Sequence, residues 1–189
     1  MTERTLTVEI FRSEQADQTE GTATADEPEP TNSELQRWAK HTFSSKPTGA
    51  LSQYSLDSAW VSLALVEPKV IAELNLQYRN KNQPTNVLSF PSLSPAEKTA
   101  VANVQLEDAT LVLGDVVLCP AIIAEQAKAQ NKSVSDHWAH MVVHGMLHLL
   151  GYDHIDEEDA EVMESLEIAL LAKIAVPNPY QDRSPAAIL

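Results

Sequence analysis

The sequence predicts a single compact domain of mixed α/β class over residues 1–189, with a small mixed sheet of about four strands packed against five or so helices. Segments with the two-residue period of strands alternate along the chain with segments that have the 3.6-residue period of helices. The length of 189 residues suits one domain. Apolar residues make up 43% of the chain, which is enough for a hydrophobic core and excludes global disorder.

The first part of the chain predicts two strands and two helices. Residues 5–11 alternate polar and apolar side chains, which favours a strand. Ser33 is a suitable N-cap for a short helix. Residues 59–66 form an apolar run that is typical of a buried strand. Pro68 then suits the first turn of a helix, which we expect to end near Tyr78.

The second part predicts two more strands, followed by helices. Residues 86–90 and 111–118 are short apolar runs with strand propensity. Pro120 is placed to begin a helix. Ser135 is a suitable N-cap for a long central helix that continues to Leu150. We expect the functional site at the C-terminal end of this helix.

The end of the chain predicts one more helix and a tail. Residues 156–173 have helical composition, and their acids fit a solvated face. Residues 176–189 contain three prolines, and we expect them to form a frayed C-terminal tail.

The acidic charge is concentrated in two segments. The formal net charge is −14, which taken alone argues against nucleic-acid binding. Residues 13–34 hold seven acids and no base, and we expect them to be an acidic mobile insertion. Residues 153–167 hold eight acids and no base. The stretch from 35 to 152 has nine acids and nine bases, so its net charge is zero. A local basic patch is therefore compatible with this part of the chain.

The cysteine content and the apolar runs indicate the compartment. Cys119 is the single cysteine, so an intrachain disulfide is excluded, and we expect its side chain to be a small buried hydrophobe. The first residues lack the apolar stretch of a signal peptide. No apolar run approaches the roughly 18 residues that a membrane span needs. We therefore expect a cytoplasmic protein with no membrane partner.

A cluster of spaced histidines indicates a metal site. The chain contains His144-Gly-Met-Leu-His148-Leu-Leu-Gly151-Tyr-Asp-His154. Four residues along a helix amount to about 400° of rotation and about 6 Å of rise, so His144 and His148 lie on one face. Gly151 permits a sharp turn, which can bring His154 round as a third ligand. Three neutral nitrogen ligands leave an open position, as in catalytic zinc sites, although nickel, iron and copper also accept imidazole.

The same spacing occurs in the metzincin proteases, whose motif is His-Glu-x-x-His-x-x-Gly-x-x-His. Their general-base glutamate corresponds to Gly145 in this chain, which has no side chain. Peptide hydrolysis by that mechanism therefore lacks its proton acceptor. A metalloprotease or another metallohydrolase stays open as an alternative, because a different acid can in principle substitute.

Three segments, in chain order, closely resemble signature motifs of the YbeY family of bacterial endoribonucleases. They are residues 137–154, which contain the histidine cluster, residues 76–91, which read Leu-Gln-Tyr-Arg-Asn-Lys-Asn-Gln-Pro-Thr-Asn-Val-Leu-Ser-Phe-Pro, and residues 113–120. The resemblance covers about residues 60–178, whereas the region before residue 59 matches only in outline. Together the three motifs are highly specific.

The resemblance implies a metal-dependent, single-strand-specific endoribonuclease that acts in 16S rRNA 3′-end maturation and in ribosome quality control. The implied partners are single-stranded or ribosomal RNA, the small ribosomal subunit and its assembly factors. The implied cofactor is one Zn²⁺ per chain, with His144, His148 and His154 as ligands. Arg79 falls on the arginine with a catalytic or RNA-binding role, and a guanidinium can stabilise charge on a phosphate. A non-catalytic ribosome-assembly factor with a structural metal is a further alternative.

Other polar residues near the motif have several possible roles. His140 shares the helix face of His144, so it can support the site or simply pack. His137 is expected to be structural or exposed. Asp153 precedes the third histidine and can either orient an imidazole or face solvent.

Overall fold

The computed structural model describes residues 5–13, 29–45, 58–93, 110–154 and 156–181. Within these ranges the chain forms a four-stranded mixed sheet and five helices, which confirms the predicted mixed α/β class. The strands are β1 (Thr5–Arg12), β2 (Ser58–Leu65), β3 (Val87–Pro91) and β4 (Leu111–Leu118), and the helices are α1 (Asn32–Ser44), α2 (Pro68–Arg79), α3 (Pro120–Ala129), α4 (Val134–Leu149) and α5 (Glu157–Lys173). None of these helices combines the length and the apolar character that crossing a bilayer requires.

The sheet has the strand order β1-β2-β4-β3. β1 and β2 are parallel, as are β2 and β4, whereas β3 lies antiparallel to β4 at one edge. Parallel neighbours need a crossover connection, and α1 supplies it between β1 and β2. This topology leaves β3 as the edge strand beside the functional helix.

Helices cover both faces of the sheet. On one face the main core joins α1, α4 and α5 to alternate residues of the strands, such as Leu63 and Val116. On the other face α2 packs through Ile71 against Leu88, Val117 and Cys119. Cys119 is fully buried, as predicted.

Helix α4 is the centre of the main core. Eleven of its 16 residues are buried, so it is enclosed on nearly all sides, as a helix without a wide polar face must be. The long central helix predicted from the sequence is therefore confirmed. Because α4 is buried, its backbone holds the side chains of its last turns in fixed positions.

Two helices begin two residues earlier than the sequence indicated. The N-cap of α1 is Thr31 rather than Ser33, because Thr31 and Glu34 form a reciprocal capping box. The hydrogen bonds from the backbone and hydroxyl of Thr31 lower the pKa of the Glu34 carboxyl. The N-cap of α4 is Ser133 rather than Ser135, and its hydroxyl accepts a hydrogen bond from the backbone N–H of Asp136.

Residues 176–181, which the sequence analysis assigned to a frayed tail, pack instead against the helices. The ammonium of Lys132 donates to the carbonyl of Pro179 at 2.6 Å. The hydroxyl of Tyr180 donates to the carboxylate of Glu167. These hydrogen bonds anchor the segment over the α4–α5 pair. Residues 29–34, which were predicted to belong to the acidic mobile insertion, are instead ordered: Glu29 pairs with Arg12, and Thr31 caps α1. Residues 14–28 of that predicted insertion, and the tail beyond 181, lie outside the described residues.

Candidate metal centre

The end of α4 brings the predicted histidines together. His144 and His148 lie one turn apart on this helix. Gly151 follows the helix with a φ of +93°, a conformation that side-chain-bearing residues rarely adopt, and it reverses the chain. The reversal brings His154 back to the two helical histidines, with ring centroids 5.5 Å from His144 and 5.1 Å from His148.

The three rings have the spacing that one metal ion needs. The Nε2 atoms of His144 and His148 lie 3.2 Å apart. With Zn–N bonds of about 2.0–2.1 Å, two ligands of a tetrahedral site are separated by about 3.3–3.4 Å. One ligand atom from each of His144, His148 and His154 lies within 4.8 Å of the others. The donor set therefore fits a tetrahedral metal with three protein ligands and one open position.

In His144 and His148 the other ring nitrogen, Nδ1, lies against a hydrogen-bond acceptor. Nδ1 of His144 lies 2.7 Å from Oε1 of Glu167, and Nδ1 of His148 lies 3.0 Å from the carbonyl oxygen of Tyr152. A carbonyl and a carboxylate only accept, so each Nδ1 must carry the proton. In the neutral rings both Nε2 atoms are then unprotonated and face each other as two lone pairs. A cation between them removes this repulsion, and the tautomers are those of metal-ligating histidines.

Glu167 is the buried carboxylate behind the site. Its side chain is fully buried on α5, and it accepts hydrogen bonds from His144, His140 and the hydroxyl of Tyr180. Burial alone would raise its pKa, but the hydrogen bonds from His140 and His144 hold the pKa of this carboxyl well below its usual range. A negative charge is therefore fixed next to the ring that faces the candidate metal position.

His140, His144 and Glu167 also lie close enough to form a second group of possible ligands. Their nitrogen-to-oxygen distances of 3.1 and 2.7 Å are those of N–H···O hydrogen bonds. Because Nδ1 of His144 carries a proton toward Glu167, this trio supports the metal centre and does not compete with it.

His148 is held in the neutral form that a metal requires. Burial, followed by the charges of His144 and His154, lowers its pKa to about 4. The nearby carboxylate of Asp153 and the carbonyl of Tyr152 oppose this shift only in part. A neutral imidazole at pH 7 binds a metal without first losing a proton.

The third ligand position differs from the first two. His154 is exposed and lies in the turn after α4. Oδ1 of Asp153 accepts a hydrogen bond from the backbone N–H of His154 at 2.8 Å, whereas it lies 3.9 Å from Nδ1 of His148. Asp153 therefore shapes the turn and does not orient His148, whose Nδ1 donates to Tyr152.

Gly145 closes one side of the helix against the sheet. A Cβ atom at this position would lie 2.5 Å from Cγ1 of Val116 and 3.3 Å from Oγ of Ser89. The hydroxyl of Ser89 also donates to the carbonyl of Gly145 at 3.2 Å. The position of the metzincin glutamate is therefore packed against β3 and β4, and it has no room for a carboxylate.

Arg79 is not brought into the histidine cluster. It is the exposed last residue of α2, which packs on the face of the sheet opposite α4. Its neighbour Tyr78 contacts the ring of Phe90 in β3, with ring centroids 4.9 Å apart. The residue before Phe90, Ser89, donates to the carbonyl of Gly145 in α4. Arg79 therefore ends a helix that packs on the other face of the sheet from α4. Among the described residues the guanidinium of Arg79 has no hydrogen bond or ion pair.

Sequence reasoning missed Glu167 and Tyr180. The acids of 156–167 were interpreted as a solvated face, but Glu167 is fully buried. A signal was present, because Met163, Glu167, Leu170 and Leu171 fall on one stripe at helical spacing and are all buried. An acid inside an apolar stripe indicates a buried partner. Tyr180 lies in a proline-containing segment that offers no periodic pattern.

Sequence comparisons with known proteins agree with the motifs. The family model described as Endoribonuclease YbeY matches residues 22–175. A protein named Endoribonuclease YbeY from Pseudomonas putida is 46% identical over 153 residues, covering 81% of this chain and 86% of that protein. One with the same name from Francisella tularensis subsp. holarctica is 44% identical over 128 residues, covering 68% and 75%. The solution structure of TM1509 from Thermotoga maritima aligns with a TM-score of 0.47 at 25% identity, over 95% of this chain and 99% of that one.

Proposed function

The chain belongs to the endoribonuclease YbeY family, and from this premise we propose that it is a metal-dependent endoribonuclease that cuts single-stranded RNA. The observation that carries the proposal is the pair of unprotonated Nε2 atoms on His144 and His148, which face each other at 3.2 Å. His154 completes a three-nitrogen set with an open side toward solvent. This arrangement suits catalysis, because structural zinc sites use four protein ligands.

We propose that the site holds one Zn²⁺ per chain through His144, His148 and His154. Bound zinc would supply Lewis-acid activation of a water molecule and of the scissile phosphate. The residues around it set the ligand geometry: Glu167 holds the ring of His144, and the carbonyl of Tyr152 holds the ring of His148. Both contacts leave Nε2 directed at the shared position.

Arg79 is proposed to bind the RNA backbone from across strand β3. Its guanidinium is exposed and can contact a phosphate through two parallel hydrogen bonds. An RNA strand that crosses the β3 edge would then meet Arg79 on one side and the histidines on the other. A positive charge at that point would neutralise a phosphate of the strand and so raise affinity for RNA.

The proposed biological role rests on the resemblance to the family. We propose that this chain acts in 16S rRNA 3′-end maturation and in ribosome quality control, with the small ribosomal subunit and its assembly factors as partners. The resemblance of the three motifs to the family supports this role, and the names of the relatives support only the cleavage of RNA. The closed face at Gly145 argues against the protease alternative, since no carboxylate fits where that mechanism needs its base.

The proposal is tested by cleavage of a single-stranded RNA and of the same RNA in a duplex. We expect zinc-dependent cleavage of the single strand, little cleavage of the duplex, and loss of activity in His148→Ala and Arg79→Ala. Arg37→Ala is the matched control for Arg79→Ala, because Arg37 is also an exposed arginine on a helix. Undiminished cleavage by both His148→Ala and Arg79→Ala would contradict the assignment. Unfolding on zinc removal would instead favour the structural-metal alternative.

A further inference from the structure

Tyr78 is a large aromatic side chain that faces solvent from a position where α2 otherwise buries its residues. It lies four residues after Leu74 and seven after Ile71, so it continues the stripe through which α2 packs on the sheet. Ile71 is fully buried, whereas Tyr78 is 59% exposed. The apolar stripe of α2 therefore ends on a ring that is open to solvent.

A second ring holds Tyr78 in place. The rings of Tyr78 and Phe90 make an edge-to-face contact, with centroids 4.9 Å apart and an interplanar angle of 68°. Phe90 is half-buried and packs against the same small core as Leu74. An edge-to-face contact uses at most one face of the Tyr78 ring, so the other face is available to a flat partner. A ring that is already fixed loses little freedom when it stacks on such a partner.

The charge next to Tyr78 suits the backbone of a nucleic acid. Arg79 and Lys81 follow within three residues, and both are exposed. Residues 74–96 hold these two bases and no acid, in a chain whose net charge is −14. Neither base forms an ion pair with another described residue. Asp115 lies opposite Phe90 in the sheet and would repel a phosphate, so we expect the phosphates at the α2 end of the rings.

The opposite edge of the sheet has the same two residue types without the free charge. Phe11 in β1 is 54% exposed and is followed by Arg12. The guanidinium of Arg12, however, donates to Glu29 at 2.7 Å and to two further acceptors. An exposed ring alone does not indicate a binding site. The Tyr78 end differs because a fixed ring lies beside two cations that no described residue neutralises.

We propose that Tyr78 stacks on one unpaired base of an RNA strand, beside the phosphates that Arg79 and Lys81 contact. This inference rests on the proposed nuclease function and identifies a part of the substrate outside the metal centre. Stacking on a ring is tolerant of base identity, because every base has a flat face. In a duplex both faces of a base are covered by its neighbours, so the ring would select single strands.

Strand β3 connects Tyr78 to the metal centre. The hydroxyl of Ser89 donates to the carbonyl of Gly145, the residue after His144. The next residue of the strand, Phe90, contacts Tyr78. Successive side chains of a strand point to opposite faces, so Tyr78 and His144 lie on opposite faces of the sheet. The base on Tyr78 would therefore belong to a different nucleotide from the one that is cut.

The proposal is tested by the affinity of the full chain, in the presence of zinc, for two RNA probes of equal length. One is a short single-stranded oligoribonucleotide, and the other carries abasic riboses throughout. Both probes have the same phosphates, so contacts with cations or a metal cancel in the comparison. We expect the wild type to bind the complete probe at least about fivefold more tightly, the lower end of what one base stacked on an aromatic ring contributes. Fluorescence anisotropy measures both affinities, and a gel checks that the probes stay intact.

Three variants separate stacking from other roles of Tyr78. Tyr78→Phe keeps the flat ring and should keep the preference for the complete probe. Tyr78→Leu keeps only an apolar contact with Phe90, and it should lose most of the preference while binding the abasic probe like the wild type. Phe11→Leu is the matched control, because it removes an exposed ring at the other edge of the sheet. It should keep the preference.

Equal binding of the two probes by the wild type would overturn the base site, and so would an unchanged preference in Tyr78→Leu. Loss of the preference in Tyr78→Phe would also overturn it, because the ring is still present in that variant. The assay measures binding and not cleavage. A wild type that prefers the complete probe but cuts no RNA would support the base site and contradict the nuclease function.

Discussion

The candidate metal centre has two parts that are built differently. His144 and His148 belong to the buried helix α4, and each has a fixed partner behind its ring. His154 lies in the exposed turn after Gly151, where Asp153 contacts its backbone. The helix therefore preorganises two ligands, whereas the turn supplies the third on the solvent side. A metal held by the three rings would have its open coordination position on the solvent side, where a large substrate could reach it.

The largest expected effect comes from the helical part. His148→Ala should weaken zinc binding by more than about 100-fold, because loss of a ligand exceeds the 10- to 100-fold cost of losing a supporting partner. Titration against a competing chelator measures this affinity. His41→Ala is the control, since the His41 ring bonds the carbonyl of Leu170 away from the site. Unchanged zinc affinity in His148→Ala would contradict the assignment of the ligands.

Loss of the histidine in the turn should weaken zinc binding less than loss of a helical histidine. We expect His154→Ala to weaken zinc binding less than His148→Ala does, because two preorganised nitrogens stay in place and water can take the vacated position. The same titration compares the two variants directly. A loss equal to that of His148→Ala would show that the helix and the turn contribute alike, and the contrast between the two parts would fail.

Removal of the support behind the helix should have a smaller effect. Glu167→Gln leaves one acceptor oxygen where His144 and His140 both donate, so one ring must reorient. We expect zinc affinity to fall by about 10-fold. Glu161→Gln, which changes an exposed acid on the same helix, should bind zinc like the wild type. Equal zinc affinities of Glu167→Gln and Glu161→Gln would contradict a supporting role of Glu167 at the site.

A separate effect, on folding stability, concerns the pH dependence of the buried helix. The folded pKa of His137 is about 4, below its usual value of 6.5, so between these values the unfolded chain binds a proton that the folded chain does not. The contribution of this group to the free energy of unfolding is therefore complete above pH 6.5. It is lost as the pH falls toward 4, by at most about 1.4 kcal/mol per pH unit.

Urea denaturation of the zinc-free protein at a series of pH values measures this loss. His137→Phe should make the fall in stability between pH 6.5 and 4 shallower than in the wild type. A parallel curve for the two proteins would show that His137 does not titrate as a buried neutral ring.

The sequence allowed the three histidines to be predicted because their geometry is local. Helical spacing places His144 beside His148, and the glycine at 151 permits the turn that returns His154. The strands and helices were also predictable, since their periodic patterns depend on neighbouring residues. The helix starts were misplaced by two residues because Thr31 and Ser133 compete with nearby serines for the same role.

The residues that support the histidines could not be predicted in the same way. Glu167 meets His144 only because α5 packs across α4, 23 residues later in the chain. The closed face at Gly145 depends on Val116 and Ser89, which come from two different strands. Arg79 was predicted from the family motif, and its position relative to the histidines depends on how α2 packs on the sheet. Such relations depend on tertiary packing and leave no periodic trace in the sequence.

The most direct test is anomalous diffraction at the zinc edge from crystals grown with zinc. The account predicts one peak about 2.0–2.1 Å from a ring nitrogen of each of His144, His148 and His154. A peak between His140 and Glu167, or no peak near α4, would contradict it.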